Sequence, residues 1–120
     1  MQNTKETGDA GEEMAANFLL KKGYSIKEKK WVHNKLELDL VAEINNKIVF
    51  VEVKTRSTRA FGNPWEAVNS EKRKRIMRTA NVYIKKFQID KDPRFDIISI
   101  VTLNGKTDID HIEGAFWPTA

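Results

Sequence analysis

A chain of 120 residues is one ordinary domain, and 40% hydrophobic against 32% charged residues place it among folded globular chains rather than disordered ones. The absence of cysteine excludes disulfides and thiolate metal sites, and no apolar run approaches the roughly 18 residues of a membrane span. The balance is mildly basic, 21 Lys and Arg against 17 Asp and Glu, and five of those cations fall between Lys72 and Arg78 with no acid among them. Such a run attracts phosphate or simply solvates a helix face. The polar start has no apolar signal segment, so a reducing cytoplasm and no membrane partner are expected.

The first helix is expected from about Asp9 to Lys22. Met14, Ala15, Phe18 and Leu19 form an apolar stripe, acids lead it, lysines close it, and Gly23 stops it. Tyr24 to Trp31 reads as an exposed first strand. Leu36 to Arg56 then alternates with period two on both sides of Asn45-Asn46, a strand–turn–strand pattern. Ser70 is the expected N-cap of a second helix running to about Phe87, with Ile76, Ala80, Tyr83, Ile84 and Phe87 on one face. Phe95 to Leu103 reads as a strand, Asn104-Gly105 as a turn, and Thr107 to Ile112 as a last strand. The order α-β-β-β-α-β-β predicts a mixed α/β domain.

The hairpin carries the chemistry. If Asn45 and Asn46 are its two loop residues, paired residue numbers sum to 91. Asp39 then faces Glu52, Glu37 faces Lys54, and all four share one side of the sheet, while Leu38 and Leu40 meet Val53 and Val51 on a core side. Two opposed carboxylates repel, so a positive group belongs between them. A hard divalent cation such as Mg²⁺ takes carboxylate oxygens, and a nearby lysine can orient a water or stabilise developing charge. A surface ladder of Asp39 and Glu52 with Lys54 and Arg56 is the plain structural alternative. Elsewhere, Glu12 reads as an acid favoured by the helix dipole. The aromatics of Ala60 to Trp65 either pack on the core or stack on bases. His33 and His111 lack metal-ligand spacing, and no phosphate-binding glycine loop is present.

Asp39, Glu52, Val53 and Lys54 form D-x12-E-V-K, which resembles the PD-(D/E)xK signature of the restriction-endonuclease-like fold without its proline. In order along the chain stand G-E-x-x-A-A-x-F-L from Gly11, L-E-L-D-L-V-A from Leu36, F-V-E-V-K-T-R from Phe50, F-G-N-P-x-E-A-V from Phe61, Glu71-Lys72, and R-F-D from Arg94. Together they resemble the bacterial UPF0102 (YraN-type) family, whose members are similar to archaeal Holliday-junction resolvases. The resemblance runs from about Gly8 to Phe116. It implies a central mixed sheet flanked by helices, a single nuclease-like domain over residues 1–120. By the same resemblance Glu12, Asp39 and Glu52 would be metal-site acids and Lys54 the catalytic lysine. Leu36 stands where the family usually has glycine.

The reading that follows is a Mg²⁺- or Mn²⁺-dependent DNA endonuclease, structure-selective because no base-reading element is evident. Arg56, Lys72, Arg73, Lys74, Arg75 and Arg78 would meet the phosphate backbone. Paired cuts on branched DNA would need a homodimer. The alternatives are a nucleic-acid-binding module of the same fold without efficient cleavage, and an interaction protein whose acids are merely salt-bridged.

Overall fold

The computed structural model describes residues 4–56 and 68–117. Its elements are α1 (Thr4–Lys21), β1 (Ser25–His33), β2 (Leu36–Ile44), β3 (Lys47–Arg56), α2 (Ser70–Lys86), β4 (Asp92–Leu103) and β5 (Lys106–Phe116), in the predicted α-β-β-β-α-β-β order. The strands form one sheet in the order β1-β2-β3-β4-β5, antiparallel except for the parallel pair β3–β4. Among the described residues no helix is long and apolar enough to cross a membrane.

The Asn45-Asn46 turn sets the predicted register: Leu40 pairs with Val51 and Ile44 with Lys47. Asn45 supplies the positive φ, 54°, that such a turn requires. The expectation of a single core side is corrected, because each face of the sheet carries a helix. Ala15, Ala16 and Leu19 of α1 pack on Leu40, Ala42, Val49, Val51, Ile98 and Ile100. Ile76, Ala80 and Tyr83 of α2 pack with Leu38, Val41, Ile48, Phe50 and Ile97 on the other face. Parallel strands covered on both faces read as continuous apolar runs, and Ile48 to Val51 and Phe95 to Ile98 do so apart from Asp96. Leu38 and Leu40 therefore lie in different layers. Between the pairs Lys29–Leu40 and Trp31–Leu38, Lys30 takes a φ of 52°, and the facing of the strands changes there. The helix cap also moves by one residue: Asn69, not Ser70, accepts the Lys72 N–H at 2.9 Å.

Cross-strand neighbours Phe50, Phe95 and Phe116 stack across β3, β4 and β5, with centroids 5.5 and 5.3 Å apart. The Arg73 guanidinium covers the last ring at 5.7 Å and its Nε donates to the Val68 carbonyl. This pins the start of α2 against the sheet.

On the α1 face a fully buried Asp96 gathers the ends of several elements. It accepts two bonds from Arg94, one from the Gly114 N–H at 3.0 Å and one from His111 Nε2 at 2.7 Å. The Lys22 ammonium, a donor only, meets His111 Nδ1 at 2.8 Å, so the ring carries its proton on Nε2. Tyr24 accepts from Arg94 and donates to Glu113. Burial alone would raise the Asp96 pKa, but the bonds from His111, Arg94 and Gly114 hold it below its ordinary 3.8. A depressed carboxyl contributes stability above the unfolded-state value and loses it as pH falls through the folded one. Asp96→Ala is expected to cost about 3–5 kcal/mol, the range for stripping one partner from a buried ion pair. Urea melts would check this. They should also show the gap between the two proteins closing below about pH 4.

Candidate metal centre

The β2–β3 ladder ends at Leu40–Val51. The next N–H on that side of β3, Val53, is taken at 2.9 Å by the Asp39 carboxylate instead of by backbone. The strands part here, and the predicted pairing of Glu37 with Lys54 does not occur in the ladder. The separation opens a cleft of about 320 Å³ between the hairpin and α2, lined by Lys35, Glu37, Asp39, Glu52, Lys72 and Arg75 among others.

Glu12 reaches the fork from α1. A Cβ at Gly11 would lie 2.3 Å from Thr55 Cγ2, so only glycine lets the helix seat this closely on β3. One carboxylate oxygen each of Glu12, Glu37 and Asp39 lie within 4.8 Å of one another. Two oxygens on one Mg²⁺ stand at most about 4.2 Å apart, given bonds of about 2.1 Å. Adjacent oxygens on such an ion stand only about 3 Å apart, so the three side chains would draw inward by up to about 2 Å on binding it, and an all-carboxylate donor set is the type hard divalent cations take. Glu52 stands beside this trio rather than in it. Its Oε1 accepts from Lys72 at 2.6 Å and lies 3.6 Å from Lys54.

The acids are strained electrostatically. Burial, then the Glu52 charge and a hydrogen bond to Glu52, raise the Asp39 pKa to about 8 against the opposing Val53 N–H. Burial likewise raises Glu12 to about 7, reinforced by Glu37, Asp9 and Glu52 and opposed by Lys30, whose Nζ is 4.0 Å away. Lys54 is pushed down, first by burial and then by Lys72. Burial works against the Lys72 ammonium too, but its bonds to Glu52 and Lys54 leave its pKa raised.

The predicted site residues divide accordingly. Glu12, Asp39, Glu52, Lys54 and Lys72 come together at the fork. Arg75 lines the cleft, whereas Lys74 and Arg78 lie exposed away from it. Arg73 is engaged with Val68 and Phe116, and Arg56 closes β3, partly buried. His33 stacks on Trp31 and His111 serves Asp96, while the Ala60–Trp65 segment lies outside the described residues. Sequence reasoning missed Lys30, which also meets Asp9. It read Glu37 as a partner of Lys54 or as a support just outside the metal's ligands, whereas its carboxylate lies with those of Glu12 and Asp39. The signal for both lay in the β1–β2 register, which the two-residue turn at Asn34-Lys35, with Asn34 at a φ of 55°, sets by pairing His33 with Leu36.

Fold and site together define an α/β domain compatible with the restriction-endonuclease-like fold, with an acidic cluster at the sheet fork. The chain belongs to UPF0102, an uncharacterised protein family whose profile matches residues 11–100. A UPF0102 protein of Phocaeicola vulgatus is 46% identical over 118 residues, 98% of each chain. Another, from Bacteroides thetaiotaomicron, is 48% identical over 118 residues, again 98% of each. One from Clostridioides difficile is 44% identical over 115 residues, 95% of this chain and 99% of the relative.

A raised carboxyl pKa stabilises the fold at low pH, and that contribution is lost as pH climbs to the folded value. In EDTA the melting temperature should therefore fall between about pH 5 and pH 8 as Glu12 and then Asp39 ionise. Asp39→Asn should flatten the fall and melt higher than the native chain at pH 8, by roughly 3–6 °C per kcal/mol relieved. Scanning calorimetry across that range checks it, and an unchanged slope in the variant would contradict it.

Proposed function

We propose that this chain is a metal-dependent DNA endonuclease that hydrolyses phosphodiester bonds and selects its substrate by shape. The observation that carries the reading is the convergence of Glu12, Glu37 and Asp39 from α1 and β2 beside a lysine with a lowered pKa, at a cleft bordered by the basic helix α2. Glu12, Glu37 and Asp39 would hold Mg²⁺ or Mn²⁺, with Glu52 bonded to Asp39 alongside. A divalent ion held there would stabilise charge on the attacking and leaving oxygens. Lys54 is the group suited to orient the attacking water or accept its proton. Lys72 and Arg75 would meet the backbone inside the cleft, and Lys74 and Arg78 extend the positive surface beyond it. Selection of branched DNA rests on the resemblance to resolvases, and two cuts on one junction would call for a homodimer.

A second reading has one observation in its favour. Lys72 and Lys54 already neutralise Glu52, as in a nucleic-acid-binding module that retains the fold without efficient cleavage. Single-turnover assays separate the two, using end-labelled single-stranded, duplex, flap and four-way-junction DNA with Mg²⁺ or Mn²⁺. The endonuclease reading expects cutting by the native chain and a loss of at least about 100-fold in Asp39→Asn, with binding kept or tightened. That floor is the upper end of what even an outer-shell change costs a metal site. Binding without cutting by the native chain supports the module instead.

A further inference from the structure

A second concavity, of about 340 Å³, lies on the neighbouring side of the first turns of α2, lined by Arg73, Lys74, Met77, Phe116 and Trp117 among others. Trp117 is the most exposed large apolar side chain among the described residues, at 62%. Its position is nonetheless built. Gly114 turns the chain with a φ of 59°, and a Cβ there would lie 3.0 Å from Trp117 Cζ2, so the indole rests against bare backbone. Gly114 is itself fixed by the bond from its N–H to the buried Asp96. Phe116, next to it, ends the aromatic stack under the Arg73 guanidinium. An indole displayed in this way, flanked by Arg73 and the exposed Lys74, offers a π-face beside positive charge.

We infer that Trp117 and the adjoining α2 cations form a stacking subsite for an unpaired base of a DNA strand. Charge complementarity selects the occupant. Five cations and no acid between Lys72 and Arg78 favour a polyanion, and an exposed aromatic beside a basic track is how unpaired strands are gripped without base reading. The placement also fits the cleft described above, on which this inference rests for its role in cleavage. Lys72, Arg75, Ile76 and Thr79 face the acidic cleft, whereas Ser70, Arg73, Lys74 and Met77 face the Trp117 concavity. One helix, about 10–12 Å across with its side chains, separates the two, a span of about three stacked nucleotides at 3.4 Å each. A strand whose phosphate lies in the cleft would set a nearby unpaired base on Trp117. The subsite would thereby favour substrates with single-stranded character next to the cut.

The test measures binding of labelled oligothymidylate and of a blunt duplex of equal length, in EDTA, by the native chain, Trp117→Ala and Trp117→Phe. Trp117→Ala should weaken single-strand binding about 5- to 150-fold, the range for removing a base-stacking aromatic, with duplex binding unchanged. Trp117→Phe should recover most of the loss. Unchanged single-strand affinity, or an equal loss on both DNAs, overturns the subsite. A drop in melting temperature with binding intact also overturns it, by assigning the indole to packing within the chain. The cleavage assay with Asp39→Asn keeps the two proposals apart. A Trp117 effect without any cutting leaves the subsite standing on a binding module, and cutting without a Trp117 effect leaves the endonuclease and removes the subsite.

Discussion

The Val53 N–H bonds to the Asp39 side chain, and much of this molecule is arranged around that substitution of carboxylate for backbone. A hairpin with a two-residue turn would ordinarily continue its ladder outward. Here pairing stops at Leu40–Val51, and the next position on each strand is an acid. Two carboxyl groups half enclosed by protein repel each other unless one keeps its proton or a cation joins them. Lys72 and Lys54 are drawn onto Glu52 for that reason, and the Asp39 pKa rises to about 8. The fork is thus a place where the sheet gives up backbone pairing in exchange for charge held in a cleft.

α1 delivers the third acid, and its position is fixed at two points. Near its middle, the missing side chain of Gly11 lets it approach Thr55 and presents Glu12 to Asp39 and Glu37. Just past its end, Lys22 and Tyr24 join the Asp96 network with Arg94, His111 and Glu113. The intervening contacts of Ala15, Ala16 and Leu19 are small and fully buried, which leaves little room to slide. Asp96 therefore matters to the acidic cleft through the placement of a helix, and to the Trp117 concavity through Gly114. Loss of this one buried carboxylate would loosen both surfaces without touching either.

Much of this was legible in the sequence because it is local. The Asn45-Asn46 turn fixed the hairpin register, and period two put Asp39 beside Glu52. The 3.6-residue spacing of apolar residues placed both helices. What could not be read was non-local. Nothing in Leu38 and Leu40 says that the strands change facing between them, since that depends on the backbone of Lys30 in a neighbouring strand. The parallel partnership of β3 and β4 carries the Phe50–Phe95–Phe116 stack, and no short-range signal encodes it. Lys72 read only as part of a basic run, and that its ammonium also reaches Glu52 follows from α2 starting beside the fork, which no local pattern shows. Asp96 stood out only as part of an R-F-D string, and its four hydrogen bonds come from β4 itself and from β5.

The acidic fork gains its meaning from one proposition, that Glu12, Glu37 and Asp39 act together on a divalent cation. The most direct measurement is an anomalous difference map from crystals of the native chain grown with Mn²⁺, beside a map from Asp39→Asn. A strong peak bonded to the carboxylates of Glu12, Glu37 and Asp39 is expected in the native chain, and its loss in the variant. A native map with no peak at the fork, while the Lys72–Glu52 ion pair remains in place, would contradict that proposition and leave these acids as parts of a salt-bridge network.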